Sequence, residues 1–395
     1  MKSVAIIGVG MGADTVTGEG LHAIEQAEVL LGAPRMLSAF SRLDKPSYAV
    51  YEPEKIRALL GESGMQCFAV LVSGDTGFYS AADGLAETLS GYEVRLIPGI
   101  SSVSYFFAKI KRPWQGAALL SCHGRGTNLT DTVRRNRRTF ALTGGNADAL
   151  AKGLTDAGLG GLTVTVGENL GAENERIFTL PVNELVKAPV GKLSVLLIEN
   201  PDADARIRFG IPDEEFIRGT APMTKSEVRA VSLSRLVLSP DAVCCDIGAG
   251  TGSITVEMAL AAYEGHVYAV DKSEEAVSLI VENCKRFHIG NVTPVLGSAP
   301  GALLSLPPLD AAFIGGSGGA MGDIFAAILS KSPLARIIVN AIALETLHAA
   351  VEAFKAHGVM PEIVQLNAAR AKPAGGLHMM LAQNPVFIVS GGGEQ

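Results

Sequence analysis

Along most of this chain, short unbroken apolar runs alternate with longer stretches in which apolar residues recur at helical spacing. Residues 4–7, 29–31, 68–72, 94–97, 117–120, 139–142, 163–166 and 193–198 are runs of the first kind. Each predicts a strand buried on both faces. The amphipathic stretches between them, such as the one around residues 84–89, predict helices. This alternation belongs to α/β architecture with largely parallel sheets, because parallel strands need a crossover and a helix supplies it.

The pattern breaks after Glu199. The stretch that follows is rich in Asp, Pro, Gly and charge, which predicts a linker near residues 200–212. The expected division is a first domain over residues 1–205, with lobes of about 1–112 and 113–205, and a second over 210–395. In the second, a helix over 226–236 follows Thr224, a candidate cap. Strands are expected at 243–247, 266–270, 292–296, 311–314 and 336–340. The terminal stretch 361–391 has two β-type runs around a loop and no helical spacing, so it predicts a closing antiparallel hairpin.

Bulk properties narrow the class. A length of 395 residues, with 48% hydrophobic and 18% charged content, predicts two or three packed domains. No apolar run approaches the roughly 18–20 residues of a membrane span. The apolar N-terminal run leads into a glycine loop, which reads as a first strand rather than a signal peptide. A net charge of −7 argues against a general nucleic-acid binder. The five cysteines lack C-x-x-C spacing, which predicts reduced thiols and a cytoplasmic protein. The seven histidines form no zinc-binding pattern, so no metal is expected.

The candidate chemistry lies in glycine loops. Gly248-Ala249-Gly250-Thr251-Gly252-Ser253 follows the predicted strand 243–247. A dinucleotide loop reads G-x-G-x-x-G/A; here the third glycine comes one place early. Glycines at such a turn let a ligand approach the backbone. Asp271 ends the next predicted strand, where a carboxylate can accept both hydroxyls of a ribose. Loop and acid together predict an adenosine-type ligand with no demand for pyrophosphate, against a dinucleotide site or a plain turn. With the terminal hairpin, these features resemble the class I S-adenosylmethionine (SAM) methyltransferases and their seven-stranded mixed sheet. The stretches "GTAPMTKSEVRAVSLSRL", "GSAPGAL", "DAAFIGGSGG" and "VNAIALETL" resemble the decarboxylating methyltransferases that act on carbon 15 of precorrin-6. The resemblance implies that Thr224, Gly248, Ala249, Gly250, Thr251, Gly252, Asp271, Ser298 and Ala299 line a SAM site. It implies that the loop Gly315, Gly316, Ser317, Gly318, Gly319 faces the macrocycle.

In the first domain "IIGVGMGADTVT" passes only as a weak dinucleotide loop, because the next strand ends in Gly32 rather than an acid. "LVSGDTGFYSAA", "VRLIPGISSVSYFFAKI" and "LLSCHGR" are apolar strands running into polar or glycine loops, the usual ligand side of an open α/β sheet. They resemble the tetrapyrrole methylases, a bilobal α/β fold with SAM in the cleft, and more closely the members acting on carbon 5. The family's G-D-P is Gly74-Asp75-Thr76 here. The resemblance implies a cofactor wall from Gly10, Met11 and Gly12, with Gly74, Asp75, Thr76, Ser101 and Ser102 meeting SAM. The alternative for the serines is a helix cap. The whole chain thus resembles a bifunctional corrin-ring methyltransferase with two SAM sites, which implies self-association into a homo-oligomer.

A polycarboxylate tetrapyrrole substrate would require cationic anchors. The candidates are Arg125, Lys225, Arg229, Arg370, Lys372 and His378, with the run 134–138 as either an anchor or a solvated helix face. The competing readings are a methyltransferase for another or a cobalt-containing tetrapyrrole, a SAM-binding regulator with one inactive site, and a nicotinamide-dependent oxidoreductase.

Overall fold

The computed structural model describes residues 2–123 and 127–393. The chain divides into two compact units. The first comprises residues 1–126, 137–151 and 162–201; the second comprises 127–136, 152–161 and 202–395.

The first unit holds two sheets. The strands β1 (Ser3–Gly8), β2 (Val29–Gly32), β3 (Ser47–Tyr48), β4 (Cys67–Val72) and β5 (Glu93–Ile97) form one in the order β3-β2-β4-β1-β5, parallel throughout. Val4, Ile6 and Ile7 of β1 and Phe68 to Val72 of β4 are buried from both sides, as unbroken apolar runs require. The strands β6 (Ala118–Ser121), β7 (Arg138–Leu142), β8 (Thr163–Glu168), β9 (Arg176–Pro181) and β10 (Ser194–Glu199) form the other, in the order β6-β7-β10-β8-β9. Only β6 and β7 run parallel there, which corrects the expectation of largely parallel sheets. For one of the three antiparallel pairs the reason is local: β8 and β9 are joined by residues 169–175, too few for a parallel crossover.

The second unit is built on a seven-stranded sheet. Its strands are β11 (Val243–Ile247), β12 (His266–Asp271), β13 (Val292–Leu296), β14 (Ala311–Ile314), β15 (Arg336–Ala341), β16 (Glu362–Leu366) and, last in the chain, β19 (Val386–Gly391). The order is β13-β12-β11-β14-β15-β19-β16, with β19 antiparallel to both neighbours. The stretch expected as a loop between β16 and β19 is itself a two-stranded hairpin, β17 (Ala369–Ala374) and β18 (Leu377–Ala382). Both its strands are exposed along their length, so no inward-outward alternation marks them in sequence. Cys244 and Cys245 occupy opposite faces of β11. Cys244 packs with Phe313 and Ile338, and Cys245 with Ile337 and Phe325. Burial pushes the Cys244 thiol up to about 12. Among the described residues no helix is long and apolar enough to cross a membrane.

Candidate functional site

The loops after β1, β4 and β5 meet at one end of the first sheet. Gly10 and Gly74 exchange backbone hydrogen bonds of 3.0 Å. A side chain at Gly99 would strike the carbonyls of Gly74 and Gly8, so glycine is needed for close approach rather than for flexibility. Asp75 ties the cluster together: Oδ1 accepts from Gly77 N at 2.8 Å and Oδ2 from Gly99 N at 3.1 Å. Met11 N donates to Thr15 Oγ1 at 2.7 Å. A cavity of about 600 Å³ opens here, and Gly10, Met11, Gly12, Gly74, Asp75 and Ser102 line it. Thr76 and Ser101 are not among its described lining residues. Ser101 is the N-cap of the helix Ser102–Lys109, accepting from Ser104 N at 3.2 Å. Sequence reasoning missed Arg35, Tyr79, His123 and Lys192, which also line the cavity. The left-handed backbone of Tyr79 (φ 48°) and its hydroxyl bond to Leu119 O at 3.0 Å leave no mark in local sequence. Arg125 lies outside the described residues.

In the second unit the glycine loop sits between the carboxyl ends of β11 and β12. Gly248 N and Ala249 N donate to Val270 O at 2.9 and 3.2 Å, and Gly250 N donates to Asp271 Oδ2 at 2.9 Å. Gly250 has φ +56°, and a Cβ there would run into Pro222 O; any other residue would be strained and crowded. Asp271 Oδ1 accepts from Ser273 N at 3.0 Å. Its carboxylate is therefore held by backbone N–H groups on both oxygens, with lone pairs to spare for a hydroxyl pair. Gly297 N donates to Asp271 O at 2.8 Å, which brings Ser298 and Ala299 to the same edge. Gly315 N donates to Ile247 O at 2.9 Å, and Gly316 abuts Gly248. The exposed Gly315–Gly319 loop thus borders the glycine loop. Thr251 O accepts from Asn283 Nδ2 at 2.9 Å.

Three buried polar atoms at this end of the sheet have no partner among the described residues: Asp246 Oδ1, Thr251 Oγ1 and Asn340 Nδ2. Asp246 is fully buried on β11, with Thr255 Oγ1 donating to Oδ2 at 2.5 Å. Burial, opposed by that bond, pushes its carboxyl up to about 7. Orphaned buried polar atoms beside a loop that admits no side chain fit a polar ligand laid on the backbone.

The expected cationic anchors separate. Lys225 is exposed, with Nζ 3.8 Å from Asp213 Oδ2. It, not Thr224, occupies the N-cap position of the helix Ser226–Leu236, and no side-chain cap bond forms. Thr224 instead turns its carbonyl to Arg229. Arg229 is not an anchor. It is wholly buried, with Nε on Glu257 at 2.8 Å, one terminal nitrogen on Asp213 at 2.9 Å, and the Phe216 ring 4.8 Å away. Arg370 is also engaged within the fold: it grips both oxygens of Glu227, reaches Asp213 at 3.2 Å and donates to Ser226 Oγ at 2.7 Å. That pairing holds the Glu227 carboxyl down at about 2. Lys372 and His378 stand exposed on the hairpin. Three arginines of the 134–138 run are structural as well, while Arg137 is exposed. Arg134 pairs with Asp131 at 2.6 Å, Arg135 lies over the Tyr263 ring at 4.0 Å, and Arg138 donates to the carbonyls of Pro113 and Gln115. Arg218, which the sequence did not single out, joins the cations around Asp213 at 4.0 Å.

Glycine-built loops at the carboxyl ends of parallel strands, one with a backbone-held acid on the neighbouring strand, are the construction of an α/β methyltransferase, and similarity to known proteins places the chain in that class. Residues 3–186 match the family model of the tetrapyrrole (corrin/porphyrin) methylases, and residues 215–391 that of the precorrin methyltransferase domain. A precorrin-6Y C(5,15)-methyltransferase (decarboxylating) from Sinorhizobium is 31% identical over 384 residues, 93% of this chain and 92% of that protein. A probable cobalt-precorrin-6B C(15)-methyltransferase (decarboxylating) from Pyrobaculum calidifontis is 43% identical over 184 residues, 46% of this chain and 94% of that protein. Among solved structures, a precorrin-6Y C5,15-methyltransferase from Geobacter metallireducens is 38% identical, covering 47% of this chain and 97% of its own, with a TM-score of 0.45. The chain belongs to the family of precorrin-6Y C(5,15)-methyltransferases (decarboxylating).

Proposed function

We propose that this chain is a bifunctional enzyme of cobalamin biosynthesis, methylating precorrin-6B/6Y at carbons 5 and 15 and releasing the ring C acetate carboxyl as carbon dioxide, to give precorrin-8. The observation that carries this reading is full-length similarity to a decarboxylating C(5,15) enzyme, together with a separate glycine-built cradle in each unit. We assign carbon 5 to the first unit and carbon 15 with decarboxylation to the second, and one SAM site to each.

Bound SAM supplies an electrophilic methyl group. In the first unit Gly10, Met11, Gly12, Gly74 and Ser102 would hold it. In the second the backbone of Gly248–Gly252 and the carboxylate of Asp271 would do so. The substrate carbon is already nucleophilic, so the protein's share is alignment and exclusion of water. The exposed Gly315–Gly319 loop offers the macrocycle a face without side chains. Lys225 and Arg218, half-exposed around Asp213, are placed to meet its carboxylates. In decarboxylation the C–C bond to the carboxyl breaks, its electron pair enters the conjugated ring, and the side-chain carbon then takes a proton. The exposed apolar residues Leu377, Met379, Met380 and Leu381 of the hairpin support self-association. The free cysteines support a cytoplasmic setting.

The test is incubation of the full chain with precorrin-6B and methyl-labelled SAM. The expected yield is two labelled methyl groups and one carbon dioxide per macrocycle. A single methyl group, or methylation without carbon dioxide, would overturn the bifunctional reading.

A further inference from the structure

Two cations line the cavity of the first unit, and among the described residues nothing pairs with either. Arg35 follows Pro34 in the short helix Pro34–Ser38, directly after β2. Lys192 comes from the turn before β10. Among the described residues neither side chain has an ion-pair or hydrogen-bond partner. This sets them apart from Lys109, Arg112 and Arg176 of the same unit, which pair with Glu175, Glu199 and Glu168. The acid in the lining is Asp75, and backbone N–H groups take both its oxygens. Glu168, near Lys192 in the fold, is turned to Arg176 and the Gly191 amide. The stem of Lys192 rests on the turn at Gly145, whose missing side chain would start 3.6 Å from it. Both residues are exposed to solvent at the cavity wall, and the packing that does reach the Arg35 guanidinium lowers its pKa.

SAM does not answer this field. Its carboxylate is balanced by its own ammonium, and its sulfonium leaves it net positive. A ligand with several carboxylates at its edge does answer it. We propose that Arg35 and Lys192 form a carboxylate clamp that seats the macrocycle by its peripheral acid side chains for methylation in the first unit. This rests on the functional reading above. Both groups are positioning residues that fix which carbon is presented, and the clamp selects free-acid substrates over their esters.

The experiment uses the full chain with Arg35→Gln, Lys192→Gln, the double variant and Arg35→Lys. For methylation at carbon 5, KM should rise about tenfold for each single variant and more for the double, with kcat little changed. Affinity for S-adenosylhomocysteine, measured by calorimetry, and methylation at carbon 15 should stay at wild-type values. Arg35→Lys should recover part of the loss, and KM should rise with salt in the wild type and less so in the double variant. A double variant with wild-type KM overturns the clamp. So does a loss of S-adenosylhomocysteine affinity as large as the loss for the macrocycle, which would assign the cations to the donor. A wild-type chain that transfers no methyl group to carbon 5 overturns the functional reading instead, and the clamp with it.

Discussion

Asp246 sits in the middle of a sheet with one oxygen on Thr255 and the other without a partner among the described residues. Its environment is hostile to charge. The folded state holds its proton up to about pH 7, where an ordinary aspartate loses it near 3.8. Between those values the native chain carries a proton that the unfolded chain does not. Raising the pH through this window therefore weakens the ligand-free protein, by up to about 1.4 kcal/mol per pH unit from this group; its full contribution is present only below the window. Asp246→Asn removes the titration. Urea unfolding of both proteins at pH 4.5 and 7.5 should show the variant gaining on the wild type as pH rises. A difference between them that does not move with pH would mean that Asp246 is ionised in the fold. The neighbouring Cys244 and Cys245 show how much of this depends on depth: buried on opposite faces of the same strand, they are thiols that will not ionise in the physiological range.

At the scale of elements, the segment before the helix Ser226–Leu236 lies against the second glycine loop. Gly210 N and Ile211 N donate to Glu257, Thr220 to Glu275, and Pro222 O lies against Gly250. Arg229 holds this strap down through Asp213, Glu257 and the carbonyls of Ile211 and Thr224. Arg229→Met should cost about 3–5 kcal/mol, because buried Glu257 loses its cation and buried Asp213 its nearest one. The exposed Lys225→Met should cost under about 1 kcal/mol. Denaturant midpoints would measure both, and equal costs would refute the ranking. Local sequence does not separate these two residues, since both are cations near a helix start. The partners of Arg229 lie 16 and 28 positions away, and only the tertiary fold joins them. What the sequence did expose was the set of strands that tertiary packing covers on both faces, and the glycine loops between them. It concealed β9, β17 and β18, whose exposed faces carry no alternation. It also concealed Arg35 and Lys192, which reach the first cavity from a short helix and a turn far apart in the chain.

For the molecule as a whole, the proposed bifunctional activity asks one polypeptide to hold two donor cradles, and the two glycine-loop clusters do differ in construction, each backed by its own core. The first depends on three glycine loops, two tied by Asp75 and the third by the Gly10–Gly74 backbone bonds; in the second, Asp271 ties down the glycine loop at Gly250. Damage to one need not reach the other. Gly250→Val forces a branched side chain onto a left-handed backbone against Pro222 O; Gly10→Val does the same at φ +65° against Thr15. Calorimetric titration with S-adenosylhomocysteine should count two sites in the wild type, one in each variant and none in the double. Gly250→Val should retain methylation at carbon 5 and lose carbon 15 together with carbon dioxide release, while Gly10→Val should show the converse. If Gly250→Val abolished both methylations in a chain that still unfolds cooperatively, the two units would share one donor site, and assigning a separate reaction to each would be wrong.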